Sequence, residues 1–202
     1  MIVKTLVVFV FKLVKKGMIY IMDKKINTKN LCITAMGIAL FVALSMCLRV
    51  PIFENYYVCL GYVVMTIYLY NVGTISGTIV GCVGTFIYCI LINGLRGMPG
   101  WIIGNLIIGL ITGFIMQKLQ NINKNCFVFL LIAIVSSISV CLGILGAKSL
   151  VECFLYGQPI LVRIISNMSA FIADSVTIII SIPLAIQLKK PLNRYINENV
   201  YL

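Results

Sequence analysis

Between Glu54 and Arg96 the chain runs for 41 consecutive residues without a formal charge. At about 1.5 Å per residue, one helix of that length would measure about twice the roughly 30 Å of a bilayer's hydrocarbon core. A segment too long for one crossing and too apolar for water must fold back on itself. Asn71-Val72-Gly73 supplies the break, so the run is expected to form a helical hairpin of two spans.

The rest of the chain repeats the pattern. Leu31 to Leu48, Gly97 to Gln117, Asn125 to Ala147 and Ile164 to Leu188 are apolar stretches of membrane-crossing length, interrupted only by Asp174. The expected fold is all-α, a compact bundle of six transmembrane helices over 31–190. A basic segment at 1–30 precedes it and a tail at 191–202 follows. Within the first 22 residues, Lys4 and Lys12 leave the apolar run too short to span, and no small-residue cleavage site follows it. That part is expected to be cytoplasmic or interfacial, with Met18 and Met22 as alternative starts.

Composition excludes whole classes of function. Charged residues make up 10% of the chain, against about 25% in soluble domains, which removes the soluble enzymes. The chain has no histidine, hence no Ser-His-Asp triad, no HExxH zinc site and no imidazole relay. Its 5 acidic residues offer no paired-carboxylate site. Neither enzymatic activity, nor a cofactor, nor a metal is expected. Gly143 to Ser149 comes close to a phosphate loop but lacks the Gly-Lys-Ser order and a preceding soluble strand. With no nucleotide site, any ATP-driven work must be powered by a partner. The 8 cysteines lie in or beside apolar segments without CxxC spacing and are expected to pack as small hydrophobes. A disulfide between Cys59 and Cys153 is the alternative.

The net charge of +11 orients the chain rather than pointing to nucleic acid. Of the 16 Lys and Arg, only Arg49, Arg96, Lys148 and Arg163 fall on one side of the six-span arrangement. The positive-inside rule then places both termini in the cytoplasm and those four residues outside.

Small residues recur every four positions: Ala35, Ala39 and Ala43 on the first span, Gly73, Gly77 and Gly81 on the third, Gly109 and Gly113 on the fourth. Such strips let helices approach closely where lipid gives no hydrophobic drive for association. The glycine strips are expected to pack within the bundle.

Polar groups gather toward the outer ends. Asn93, Arg96, Trp101 and Asn105 surround the start of span four, and Glu152, Arg163 and Asn167 the start of span six. Trp101 and Asn105 share a helical face, as do Arg163 and Asn167. These seven residues are the candidate substrate site: amides for hydrogen bonds, an indole for stacking, a guanidinium for a carboxylate. Each also has a plainer role available, Trp101 in the interfacial aromatic belt and Arg96 by snorkelling. Asp174, mid-span, is expected to serve as a structural acceptor, with ion coupling as the alternative.

Taken together, these segments resemble the S components of energy-coupling factor (ECF) transporters. The resemblance rests on the basic opening Asp23-Lys24-Lys25 through Lys29-Asn30-Leu31, the Ala35/Ala39/Ala43 repeat, Leu48-Arg49-Val50-Pro51 and Leu60-Gly61. It extends through Gly77-Thr78-Ile79-Val80-Gly81, the span-four run Trp101 to Gly113, and Pro183-Leu184 through Leu192. It covers roughly residues 23 to 195 and implies a substrate-binding membrane subunit for a vitamin or related micronutrient. It also implies three partners, a membrane coupling subunit and two cytoplasmic ATPases, with Ala35, Ala39 and Ala43 meeting the coupling subunit. A multi-pass location in the plasma membrane of a bacterium goes with it. Many vitamin-specific members carry an acid after the glycine of span two, where this chain has Tyr62, so no particular vitamin follows. A self-contained secondary transporter with Asp174 as its coupling group is the alternative, though no inverted repeat supports it.

Overall fold

A computed structural model describes residues 28–47, 51–53, 56–57, 59–92, 94–95, 97–120, 126–189 and 191, with side chains described outside 51–57 and 126. Residues 1–27, which hold most of the basic opening, Asn93, Arg96 and the residues after 191 lie outside the described residues. Helix α1 (Thr28–Cys47) leads to two short antiparallel strands, β1 (Pro51–Phe53) and β2 (Tyr56–Tyr57), then α2 (Gly61–Asn71), α3 (Thr74–Leu91) and α4 (Met98–Leu119). A long rod follows, made of α5 (Cys126–Val140), a π-helical stretch (Cys141–Lys148) and α6 (Ser149–Tyr156), and α7 (Ile160–Gln187) closes the bundle. Counting the rod once, six helices pack together among the described residues.

Five of the six are long and apolar enough to cross a membrane: Thr28–Cys47, Thr74–Leu91, Met98–Leu119, Phe127–Tyr156 and Ile160–Gln187. The chain is thus a multi-pass membrane protein of the expected helical class. Helix α2 differs, because its 11 residues reach only about 16 Å. The expected break between α2 and α3 falls at Val72 and Gly73. Gly73 has φ +144°, a conformation that side-chain-bearing residues rarely adopt.

Two boundaries move from their expected places. The fifth span does not end at Ala147, since helix continues through Lys148 to Tyr156. There Gly157, at φ +63°, caps it with its N–H on the Cys153 carbonyl at 2.9 Å. The last helix starts at Ile160 rather than Ile164, because Pro159 occupies its N-cap. Glu152, Tyr156 and Arg163 therefore stand on helices and not in a loop.

Small residues let the helices approach closely, and large apolar side chains pack against them. The two expected glycine strips do pack inside: Gly77 lies against Leu69, Gly81 against Met65, and Gly109 against Thr78. Where α4 crosses the π stretch, two glycines meet backbone to backbone. A Cβ on Gly143 would sit 2.7 Å from the Gly104 carbonyl oxygen, and one on Gly104 would sit 2.9 Å from that of Gly143. The alanine strip is the reverse case. Thr34, Gly37, Phe41 and Ser45 are the buried positions of α1, while Ala35, Ala39 and Ala43 are all exposed. Cys59 is buried and Cys153 half-buried, and both are free thiols.

The glycine crossing gives a paired expectation. Gly143→Ala should destabilise the detergent-solubilised protein by about 1–3 kcal/mol through overpacking. Gly146→Ala, where an added Cβ meets nothing within 4 Å, should leave the thermal unfolding midpoint unchanged.

Candidate functional site

The membrane interior offers no water to a polar side chain, so buried amides and hydroxyls must find one another. At one end of the bundle they do so in two groups, on either side of the first turns of α4.

The first group lies between α2, α3 and α4. Trp101 Nε1–H donates to the Tyr62 hydroxyl at 2.8 Å, and that hydroxyl donates to Asn105 Oδ1 at 2.7 Å. Asn105 Nδ2 donates to Thr85 Oγ1 at 2.6 Å and to the Gly81 carbonyl at 3.3 Å. The Asn105 amide thus places both its donors and an acceptor within the protein. Its neighbours hold it there: Tyr88 meets the Trp101 ring edge-on at 5.9 Å, and Phe41 meets Tyr62 at 6.4 Å. Asp174, fully buried on α7, adjoins the Tyr62 side chain.

The second group joins α6 to α7. Asn167 Nδ2 donates to Glu152 Oε2 and to Ser149 Oγ, both at 3.0 Å. Arg163 Nη1 lies 3.8 Å from the same Glu152 oxygen, and the guanidinium stands 5.1 Å from the centroid of the Tyr156 ring. Arg163 Nε is buried without a hydrogen-bond partner. This group keeps an unused donor beside an aromatic face, an arrangement suited to a planar or anionic acceptor.

The structure therefore brings Trp101 together with Asn105, and Glu152 together with Arg163 and Asn167. It does not join the two sets directly. Trp101 and Asn105 turn toward α2 and α3, whereas Gly100 and Gly104 of the same helix face Lys148, Glu152 and Gly143. What connects the sets is α7, whose residues Asn167 and Asp174, seven apart and both buried, share one face. Asn93 and Arg96 fall outside the described residues. Sequence reasoning missed Tyr62, Thr85 and Ser149. Tyr62 had a signal, its place after Gly61, while Thr85 had none and Ser149 was visible only in the false phosphate loop. Among the described residues no cluster of His, Cys, Asp or Glu could hold a metal.

Trp101 is the one tryptophan of the chain, so its fluorescence reports this network. Tyr62→Phe removes the acceptor of its indole N–H and should shift emission to shorter wavelength. It should also destabilise the fold by about 1–3 kcal/mol, the cost of leaving the indole donor and the buried Asn105 acceptor unmatched.

Comparison with known proteins agrees with this architecture. The solved S component for biotin from an ECF-type ABC transporter superposes with a TM-score of 0.61 at 19% identity, over 83% of this chain and 95% of that one. At that identity the likeness establishes the fold. No curated protein matches the chain. The family model for the ECF-type riboflavin transporter S component matches residues 25–190. That match takes in every described helix from α1 to α7, so the chain belongs to the family of ECF-type riboflavin transporter S components, subunits of a transporter rather than enzymes.

Proposed function

We propose that this chain captures a vitamin, riboflavin foremost, at the outer face of a bacterial cell membrane and hands it to an ATP-driven coupling module. The family match over residues 25–190 carries the reading. The site chemistry supports it. An isoalloxazine-like solute needs flat apolar surface, which Trp101 and Tyr156 offer, and polar groups at its rim, which Arg163, Glu152 and Asn167 offer. Asn105 serves by holding Tyr62 and Trp101 in place. Asn93 and Arg96, in the stretch joining α3 to α4, complete the proposed contact set.

The energy comes from elsewhere, through a membrane coupling subunit and two cytoplasmic ATPases. Ala35, Ala39 and Ala43 form the docking strip. Their exposure supports that role, since a strip of small residues facing out is available to a second helix at close range.

In lipid nanodiscs the purified chain should bind riboflavin with quenching of both flavin and Trp101 emission. Arg163→Ala should weaken binding about tenfold, or about 1.4 kcal/mol. Retention of biotin with no response to riboflavin would replace the vitamin. No retained small molecule at all would sink the reading.

Ala39→Trp should leave riboflavin affinity within about twofold but abolish uptake by cells that carry the coupling module. The unaltered chain should give no uptake in cells lacking that module. Proton-driven uptake by the chain alone in liposomes would instead favour a secondary transporter.

A further inference from the structure

Along α5 the buried stripe falls on Ile132, Ser136, Ser139 and Val140, and Gly143 and Ile144 extend it into the π stretch. The spacing of three and four is that of an α-helical face. Carried on at the same pitch, the stripe would reach Lys148, Val151 and Leu155. It does not. Ser149 and Glu152 are the buried residues, 0% and 4% exposed, while Leu155 is 55% exposed. The step from Ile144 to Ser149 is five residues, and across it Ser149 Oγ donates to the Ile144 carbonyl at 3.2 Å.

The stretch Cys141–Lys148 spans this step. A π-turn holds one residue more than an α-turn. Everything beyond it therefore lags by about 100° round the helix axis, one residue's share of a 3.6-residue turn. We propose that one residue of Cys141–Lys148 is surplus to the α-helix and that it positions Glu152. The lag turns the Glu152 carboxylate inward, onto Asn167 and Arg163. At unbroken α pitch Val151 would face inward and the carboxylate would be carried toward lipid, where a charge is costly.

Two glycines suit the stretch to this task. Gly143 anchors it against the Gly104 backbone, and Gly146 has open space around its Cα, so the wide turn is pinned at one end and unobstructed in the middle. Ser149 locks the outcome by receiving Asn167 Nδ2. The part this plays in ligand binding rests on the vitamin-site reading; the register itself does not.

Residue deletion separates the two. The full chain in nanodiscs carries Asn167→Cys, with native cysteines other than Cys153 replaced by alanine. It is compared with a version bearing Glu152→Cys and Cys153→Ala. Under copper-phenanthroline oxidation the 152–167 pair should form a disulfide at least about tenfold faster than the 153–167 pair, because only the first faces its partner.

Deleting Gly146 should leave that preference unchanged, since losing the surplus residue restores α pitch without turning α6. Inserting an alanine after Gly146 should move the preference to Val151→Cys. If the Gly146 deletion instead transfers cross-linking to Cys153, the stretch carries no surplus and the proposal falls. Deletion of Ala147 repeats the test, and failure of both deletions to give folded protein also overturns it, because a surplus residue must be dispensable.

In the otherwise native chain, the Gly146 deletion should hold riboflavin affinity within about threefold, and the insertion should lower it at least about tenfold. If the native chain binds no riboflavin while the cross-linking preference survives deletion, the register stands and the vitamin assignment falls.

Discussion

Helix α4 meets the rod at Gly104 and Gly143 with no side chain between the two backbones, and the rest of the bundle is arranged about that crossing. In lipid, apolar side chains gain nothing by leaving one apolar surface for another, so helices associate through close packing and buried hydrogen bonds. Glycine against glycine gives the closest approach available. It seats α4 deep enough for Ile108, one turn further on, to be fully buried. It also fixes what the two sides of α4 can touch: Tyr62, Thr85 and Tyr88 on one, Lys148 and Glu152 on the other.

The two polar groups differ in how completely they satisfy themselves. Around Asn105 the amide and hydroxyl groups pair among themselves, which makes a rigid strut between α2, α3 and α4. Around Glu152 the pairing is looser. The carboxylate already receives Asn167, the guanidinium stands at 3.8 Å, and Arg163 Nε goes unmatched. A framework that is closed on one side and open on the other suits a binding subunit. Precise placement of a few groups needs rigid support, and recognition needs groups not yet committed to one another.

Most of the fold was legible in the sequence because a bilayer imposes a length on apolar segments. The 41-residue run had to break, and Gly73 marked where. Two kinds of information were not legible. Lys148 looked like the end of a span, yet it lies within a continuous rod, half-buried by its packing beside α4. The inward turn of Glu152 could not be read at all, since periodicity arguments assume one pitch and the rod uses two. At the site, the pairing of Trp101 with Asn105 followed from spacing along one helix. Their partners Tyr62 and Thr85 come from other helices, and only tertiary packing brings them there.

The short reach of α2 has a consequence for what closes the bundle on that side. Its far end, at Asn71, is fastened to the opposite surface of the bundle: Asn71 Nδ2 donates to the Ala185 carbonyl at 3.0 Å, and Gln120 Nε2 to the neighbouring Tyr70 carbonyl at 3.0 Å. From there α2 climbs only about 16 Å, about half of what a helix needs to cross a hydrocarbon layer about 30 Å thick. Above it the chain is the short β1–β2 hairpin rather than another two turns of helix. On the side of α2 the bundle is therefore walled by helix over only part of its height, and the Tyr62 hydrogen bonds stand where that helix ends, so the polar network rather than a full-length span closes this side.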